Sequence, residues 1–172
     1  MKRILAALAL APAVFAVPAA AEDTHGIANA TFPEKGVLAA GQPTGEQLQV
    51  LAEEGYKTVI DLRAADEPRG YDEVEAAKAN GLTYVSLPVT LASLDQGTID
   101  RFLKTMEKAE KPVLLHCASS NRVGALWYAY LVEKGMAPAE ALEKGKAAGL
   151  TNPELTKKIQ ALVADRQAKP ER

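Results

Sequence analysis

Pro112-Val113-Leu114-Leu115-His116-Cys117-Ala118-Ser119-Ser120-Asn121-Arg122 is the stretch on which the fold turns. Val113 to Leu115 is a short apolar run behind a proline, which predicts a buried strand. Ala118 to Asn121 is a turn of small and polar residues. Beyond Arg122, the residues Val123, Leu126, Trp127, Tyr130 and Leu131 recur on one helical face, and Gly135 ends the run. The order is strand, turn, helix, with the chain's only cysteine at the strand end and an arginine at the start of the helix.

The same alternation continues upstream. Gly36 to Gly41 reads as a strand, and Thr44 with Gln47 three residues later forms a capping box for a helix that buries Leu48 and Leu51 and closes at Gly55. Lys57 to Leu62 is a β-branched strand, Tyr71 to Asn80 a helix, and Leu82 to Leu87 another strand. Ile99, Phe102, Leu103 and Met106 mark an amphipathic helix before Pro112. Downstream, Pro138 opens a helix ended by Gly149, and Pro153 opens a last one running toward Ala168. Strands alternating with helices, and helices alone in the last third, predict an α/β fold with a mainly parallel central sheet of about four or five strands. Ligands of such sheets bind beyond the carboxyl ends of the strands, where Cys117 falls.

The N-terminus carries a compartment signal. Lys2 and Arg3 precede an apolar stretch from Ile4 to Val17, and Ala19-Ala20-Ala21 offers a small-residue cleavage site before Glu22. The expectation is a signal peptide over residues 1–21, an extended leader over 22–35, one domain over 36–168 and a tail over 169–172. The mature protein is then expected in the periplasm or secreted, with no membrane span. Removing residues 1–21 from 172 leaves 151, enough for one domain with one core. It also takes the balance from 20 basic and 22 acidic residues to 18 and 22, which gives no support for a nucleic-acid partner. One cysteine excludes an internal disulfide, and two histidines argue against a dedicated metal site. No cofactor is implied.

A thiol beside an arginine and a helix N-terminus is placed to ionise, since such surroundings lower a thiol pKa from about 8.5 to roughly 3.5–7.5. The amides from Ala118 to Val123 can form a nest, and Arg122 adds a fork matched to two oxygens of a phosphate or sulfate. The plainer alternative for Cys117 is a buried structural cysteine. His116 is expected to orient the loop rather than act as a base. Arg63, Asp66 and Glu67 follow a strand end, where they rim the pocket or form a solvated charged loop.

Several segments resemble the protein-tyrosine-phosphatase-like superfamily, and in particular its DUF442 or beta-lactamase-hydrolase-like branch. They are Gly41-Gln42-Pro43-Thr44, Gly55 to Arg63, Gly81 to Pro88, and His116-Cys117 through Arg122 to Trp127. The resemblance implies a phosphatase-like fold, Cys117 as the nucleophile that forms a phosphocysteine, and Arg122 as the phosphoryl clamp. It also implies an aspartate acid on the loop before the preceding helix, for which Asp95 is the candidate; the alternative for Asp95 is a helix cap near Thr98. The expected partner is a phosphorylated small molecule or protein, with phosphate or sulfate bound by Ala118, Ser119, Ser120, Asn121, Arg122 and Val123.

Three departures from the superfamily pattern bear on turnover. Only four residues separate Cys117 from Arg122, a spacing shared with the DUF442 branch and also with rhodanese-like sulfurtransferases. Ser120 stands where a glycine is usual, and Val123 where a hydroxyl is usual. A persulfide-carrying sulfurtransferase and a non-catalytic anion-binding module are therefore the competing readings. Oxidation of Cys117 to a sulfenic acid or mixed disulfide is a further expectation for an exported thiolate.

Overall fold

The structure, a computed structural model, describes residues 23–169; the expected signal peptide lies outside them. Five strands form one sheet in the order β1-β2-β5-β3-β4. These are β1 (Thr31–Glu34), β2 (Val37–Ala40), β3 (Thr58–Asp61), β4 (Thr83–Ser86) and β5 (Val113–His116). β2, β5, β3 and β4 are mutually parallel, and β1 joins β2 antiparallel at the edge. The sheet thus begins inside the segment read as a leader. Thr31-Phe32-Pro33-Glu34 has no alternation to betray a strand, and its proline is tolerated only because an edge strand has free N–H positions.

Among the described residues the helices are α1 (Gly45–Glu53), α2 (Glu73–Ala79), α3 (Gln96–Lys108), α4 (Asn121–Glu133), α5 (Pro138–Ala147) and α6 (Pro153–Ala168). The capping box at α1 is present, with Thr44 Oγ1 accepting from the Gln47 amide and Gln47 Oε1 accepting from the Thr44 amide. α2 starts two residues later than the sequence suggests because the Asp72 carboxylate takes the cap position and accepts from the Glu75 amide.

β5 is central and buried on both faces, which explains its unbroken apolar run. Its side chains alternate between two cores. Val113, Leu115 and Cys117 join Ile60, Ile99, Phe102 and Trp127 on the face covered by α3 and α4. Leu114 joins Leu38, Leu48, Leu51 and Val59 on the face covered by α1 and α2. Period-two alternation has a consequence at the strand ends. His116 pairs in register with Asp61, and both side chains go to the α1/α2 face. α4 is the hub of the other layer and crosses α5 at two glycines. A Cβ on Gly145 would stand 2.8 Å from the Gly124 carbonyl, so the crossing needs bare backbone on both helices.

Candidate active site

Cys117 has no accessible surface, while Ala118 and Ser119 next to it are exposed. The sulfur therefore lies at the base of the loop that joins β5 to α4. Ser120 takes the N-cap position of α4 in the left-handed conformation, φ 65°, and its side chain makes no cap bond. The hydroxyl turns back and donates to the Ala148 carbonyl at 2.8 Å. The first bond of the helix is Gly124 N to Ser120 O at 2.9 Å. The amides of Asn121, Arg122 and Val123 consequently have no acceptor among the described residues, and an N-terminus in that state attracts an anion. Ser120, standing where a glycine is usual, thus holds the left-handed conformation that glycine adopts without strain.

The α5–α6 connection supports this loop from below. Asn121 Oδ1 accepts from the Thr151 and Asn152 amides at 2.8 and 2.7 Å. Gly149, at φ 108°, lies so close that a Cβ there would come within 2.6 Å of the Ser120 Cβ. Val123 is fully buried and contributes its amide, not its side chain, to the loop.

Arg122 is divided between two tasks. Its terminal nitrogens grip the Glu67 carboxylate, Nη2 to Oε2 at 2.7 Å and Nη1 to Oε1 at 2.5 Å. Nη1 also donates to the Val89 and Leu62 carbonyls at 3.1 and 3.4 Å. The Nε–H and the second Nη2–H form the remaining edge of the guanidinium, a fork of the shape that binds two phosphoryl oxygens. The Arg122 pKa is raised, mainly by the Glu67 hydrogen bond, against burial and with help from the neighbouring Cys117. Glu67 is depressed in turn, by Arg122 first, against burial and with the Ala64 amide assisting.

Of the three charged residues that follow β3, Glu67 reaches the site and Arg63 goes underneath it. Arg63 is 1 % exposed and bridges both carboxylates of a buried cluster. Its Nε and Nη2 donate to Asp61 at 3.1 and 3.2 Å, and Nη2 also to Glu73 at 2.6 Å. Tyr84 and Arg69 complete the shell around Asp61. Burial alone would raise the Asp61 pKa, but Arg63, His116 and Tyr84 bring it down to about 2. His116 Nε2 lies 3.0 Å from Glu73 Oε1 without an aligned hydrogen bond. Asp61, Glu73 and His116 come within 4.8 Å of one another. The Arg63 guanidinium already supplies the positive charge there, which leaves the donor set unsuited to a metal. A sequence signal for this cluster existed: Asp61 ends the β-branched strand and Arg63 follows two residues later, a spacing that puts both on one side of an extended chain.

Asp95 is the N-cap of α3. Its carboxylate accepts from the Thr98 amide at 2.7 Å and the Thr98 hydroxyl at 2.9 Å. Those bonds lower its pKa, so it is held as an ionised acceptor, the opposite of what a proton donor needs. The loop before α3 does reach the site, through the Val89 carbonyl on Arg122 rather than through an acid.

This geometry can be set beside known proteins. The fold matches a DUF442 protein of Shewanella putrefaciens CN-32 with TM-score 0.70 and 24 % identity, over 86 % of this chain and 94 % of that one. It matches Tk-PTP with TM-score 0.68 and 20 % identity, over 81 % and 97 %. TpbA of P. aeruginosa, solved in complex with pTyr, matches with TM-score 0.60 and 22 % identity, over 74 % and 77 %. Among curated proteins, the beta-lactamase hydrolase-like protein of Xylella fastidiosa (strain 9a5c) is 29 % identical over 157 residues, 76 % of this chain. That alignment spans only 36 % of the relative's length, and the 33 % identical relative from Agrobacterium fabrum is spanned over 21 %. The profile of the family described as DSP-PTPase phosphatase fused to NAD+ kinase matches residues 13–162. This chain belongs to that family, and its domain has the fold of phosphatases of the tyrosine and dual-specificity type.

Proposed function

We infer that the protein hydrolyses a phosphomonoester by way of a phosphocysteine at Cys117. The observation that carries the reading is the division of Arg122. Glu67 fixes one edge of the guanidinium, and the other edge stays available beside Cys117 and the open amides of α4. A phosphoryl group seated there has its oxygens neutralised by the amides of Asn121 to Val123 and by Arg122. Cys117 Sγ attacks phosphorus as the ester P–O bond breaks, and the alcohol oxygen leaves with the bonding pair. Water then attacks the phosphocysteine, the P–S bond breaks, and phosphate departs. Ala118, Ser119 and Ser120 shape the loop, and the buried His116 ring packs at its base against Glu73.

Purified protein is expected to release phosphate from a small aryl phosphate and to lose this activity in Cys117→Ser. Phosphate release that survives the substitution sinks the assignment. Thiocyanate formed from thiosulfate and cyanide identifies a sulfurtransferase instead. A non-catalytic anion-binding module has two observations in its favour: Asp95 is committed to capping, and buried Val123 offers no hydroxyl for the hydrolytic step. Anion binding without turnover on a panel of phosphoesters would establish it. Export to the periplasm is part of the proposal and rests on the charged, apolar and small-residue order of residues 1–21. A secreted species whose mass begins at Glu22 supports export; one that retains Met1 counts against it.

A further inference from the structure

Beside the anion loop lies an open cleft of about 530 Å³, lined by Gln42, Pro43, Thr44, Gly45, Glu46, Arg69, Gly70 and Tyr71. Its two lips are segments that touch the loop. Gln42 N donates to the Ala118 carbonyl at 3.4 Å on one side. On the other, the Ala64–Gly70 segment supplies both Arg69 and the Glu67 that holds Arg122. Resting on the phosphatase reading above, we propose that this cleft receives the alcohol portion of the substrate. It selects a singly phosphorylated ester whose alcohol portion is uncharged and partly apolar over polyphosphorylated compounds.

The charge inventory of the walls carries the argument. Arg69 is the cation in the cleft, and all five of its N–H donors are committed internally. Nε and Nη2 go to Asp61 Oδ2 at 3.3 and 3.1 Å, Nη2 also to Ala64 O at 3.4 Å, and Nη1 to the Ala65 and Glu67 carbonyls at 3.3 and 3.2 Å. A second phosphate would find a guanidinium already neutralised by a buried carboxylate. The N-terminus of α1 also faces the cleft and would favour an anion, but its capping box is complete and Glu46 in its first turn already answers its field. The rest of the wall is uncharged: Pro43, Gly45 and the Tyr71 ring are its apolar part, the Tyr71 hydroxyl tied to the Pro43 carbonyl at 3.1 Å, and the Gln42 amide nitrogen is turned to Pro43 O and Glu73. That wall suits a flat apolar group. The commitment of Asp95 to capping points the same way, because an aryl oxide leaves without a donated proton far more readily than an alkoxide.

The test is calorimetric binding to the full-length Cys117→Ser protein, with inorganic phosphate, benzylphosphonate and inositol hexakisphosphate as probes. Gly45→Leu is the cleft variant. A Cβ at Gly45 stands 3.7 Å from Tyr71 Cδ2, an ordinary contact, so the longer side chain extends over the cleft without displacing the helix. Benzylphosphonate is expected to bind about tenfold tighter than phosphate, a factor that corresponds to about 1.4 kcal/mol. Gly45→Leu is expected to erase that gain and leave phosphate affinity as it was. Inositol hexakisphosphate binding more tightly than benzylphosphonate overturns the proposal, as does a Gly45→Leu effect equal on phosphate and phosphonate, while the anion loop itself stands. Failure of all three probes to bind overturns the phosphatase reading and the cleft with it.

Discussion

Gly149→Ala is the substitution from which the support of the anion loop can be read most directly. The new Cβ would stand 2.6 Å from Ser120 Cβ, 2.9 Å from its Oγ and 3.0 Å from its carbonyl oxygen. Carbon atoms settle at about 3.5–4.0 Å, so the first contact overlaps by about 1 Å. Overpacking of that kind costs about 1–3 kcal/mol, and an alanine at φ 108° adds roughly another 1–2 kcal/mol. A total of about 3 kcal/mol lowers the Tm of a domain this size by roughly 6–12 °C. In a Ser120→Gly background the Cβ and Oγ contacts disappear, while the backbone strain at position 149 remains. The double variant is therefore expected to be less destabilised than the sum of the single ones by at least about 1 kcal/mol. Ser120→Gly alone is expected near neutral, since relief of a left-handed serine offsets the lost bond to Ala148 O. Denaturant unfolding of the four proteins measures the coupling. Additivity within about 0.5 kcal/mol would refute the idea that Gly149 leaves room for Ser120.

Three further outcomes follow from the contacts around the site. Glu67→Gln releases one edge of Arg122 and is expected to reduce kcat/KM on an aryl phosphate by about tenfold to a hundredfold with little change in Tm, because misplaced transition-state contacts cost rate rather than stability. Asp61 has a folded pKa of about 2, below its unfolded value, so its contribution is present above about pH 4 and lost as pH falls through 2. The stability gap between wild type and Asp61→Asn is therefore expected to narrow by about 2 kcal/mol between pH 5 and pH 2; a gap independent of pH contradicts the assignment. Asp95→Asn keeps a cap acceptor and is expected to leave kcat within about twofold, whereas a loss of about a hundredfold or more would restore Asp95 as the acid.

Local chemistry made most of the fold readable. The capping box at Thr44, the proline openings of α5 and α6 and the apolar run of β5 each encode an element without reference to the rest of the chain. β1 escaped because its four residues are half-buried at an edge and show neither alternation nor a continuous apolar run. The site divides in the same way. Cys117 and Arg122 share one loop, so their relation is visible in sequence. Glu67 is 55 residues from Arg122, and from sequence its charged segment is indistinguishable from a solvated loop. The buried cluster joins β3, α2 and β5, a pairing that only sheet order reveals. For Asp95 the sequence held both readings, and the cap on Thr98 three residues on is the one the structure contains.

In the proposed mechanism Cys117 carries the phosphoryl group between the two displacements. Rapid acid quenching during turnover of an aryl phosphate, followed by peptide mass spectrometry, tests it most directly. A phosphoryl adduct on the peptide that contains Cys117, absent from Cys117→Ser, is the predicted result. Turnover with the adduct on another residue, or with none at Cys117 under conditions that preserve phosphocysteine, would contradict it.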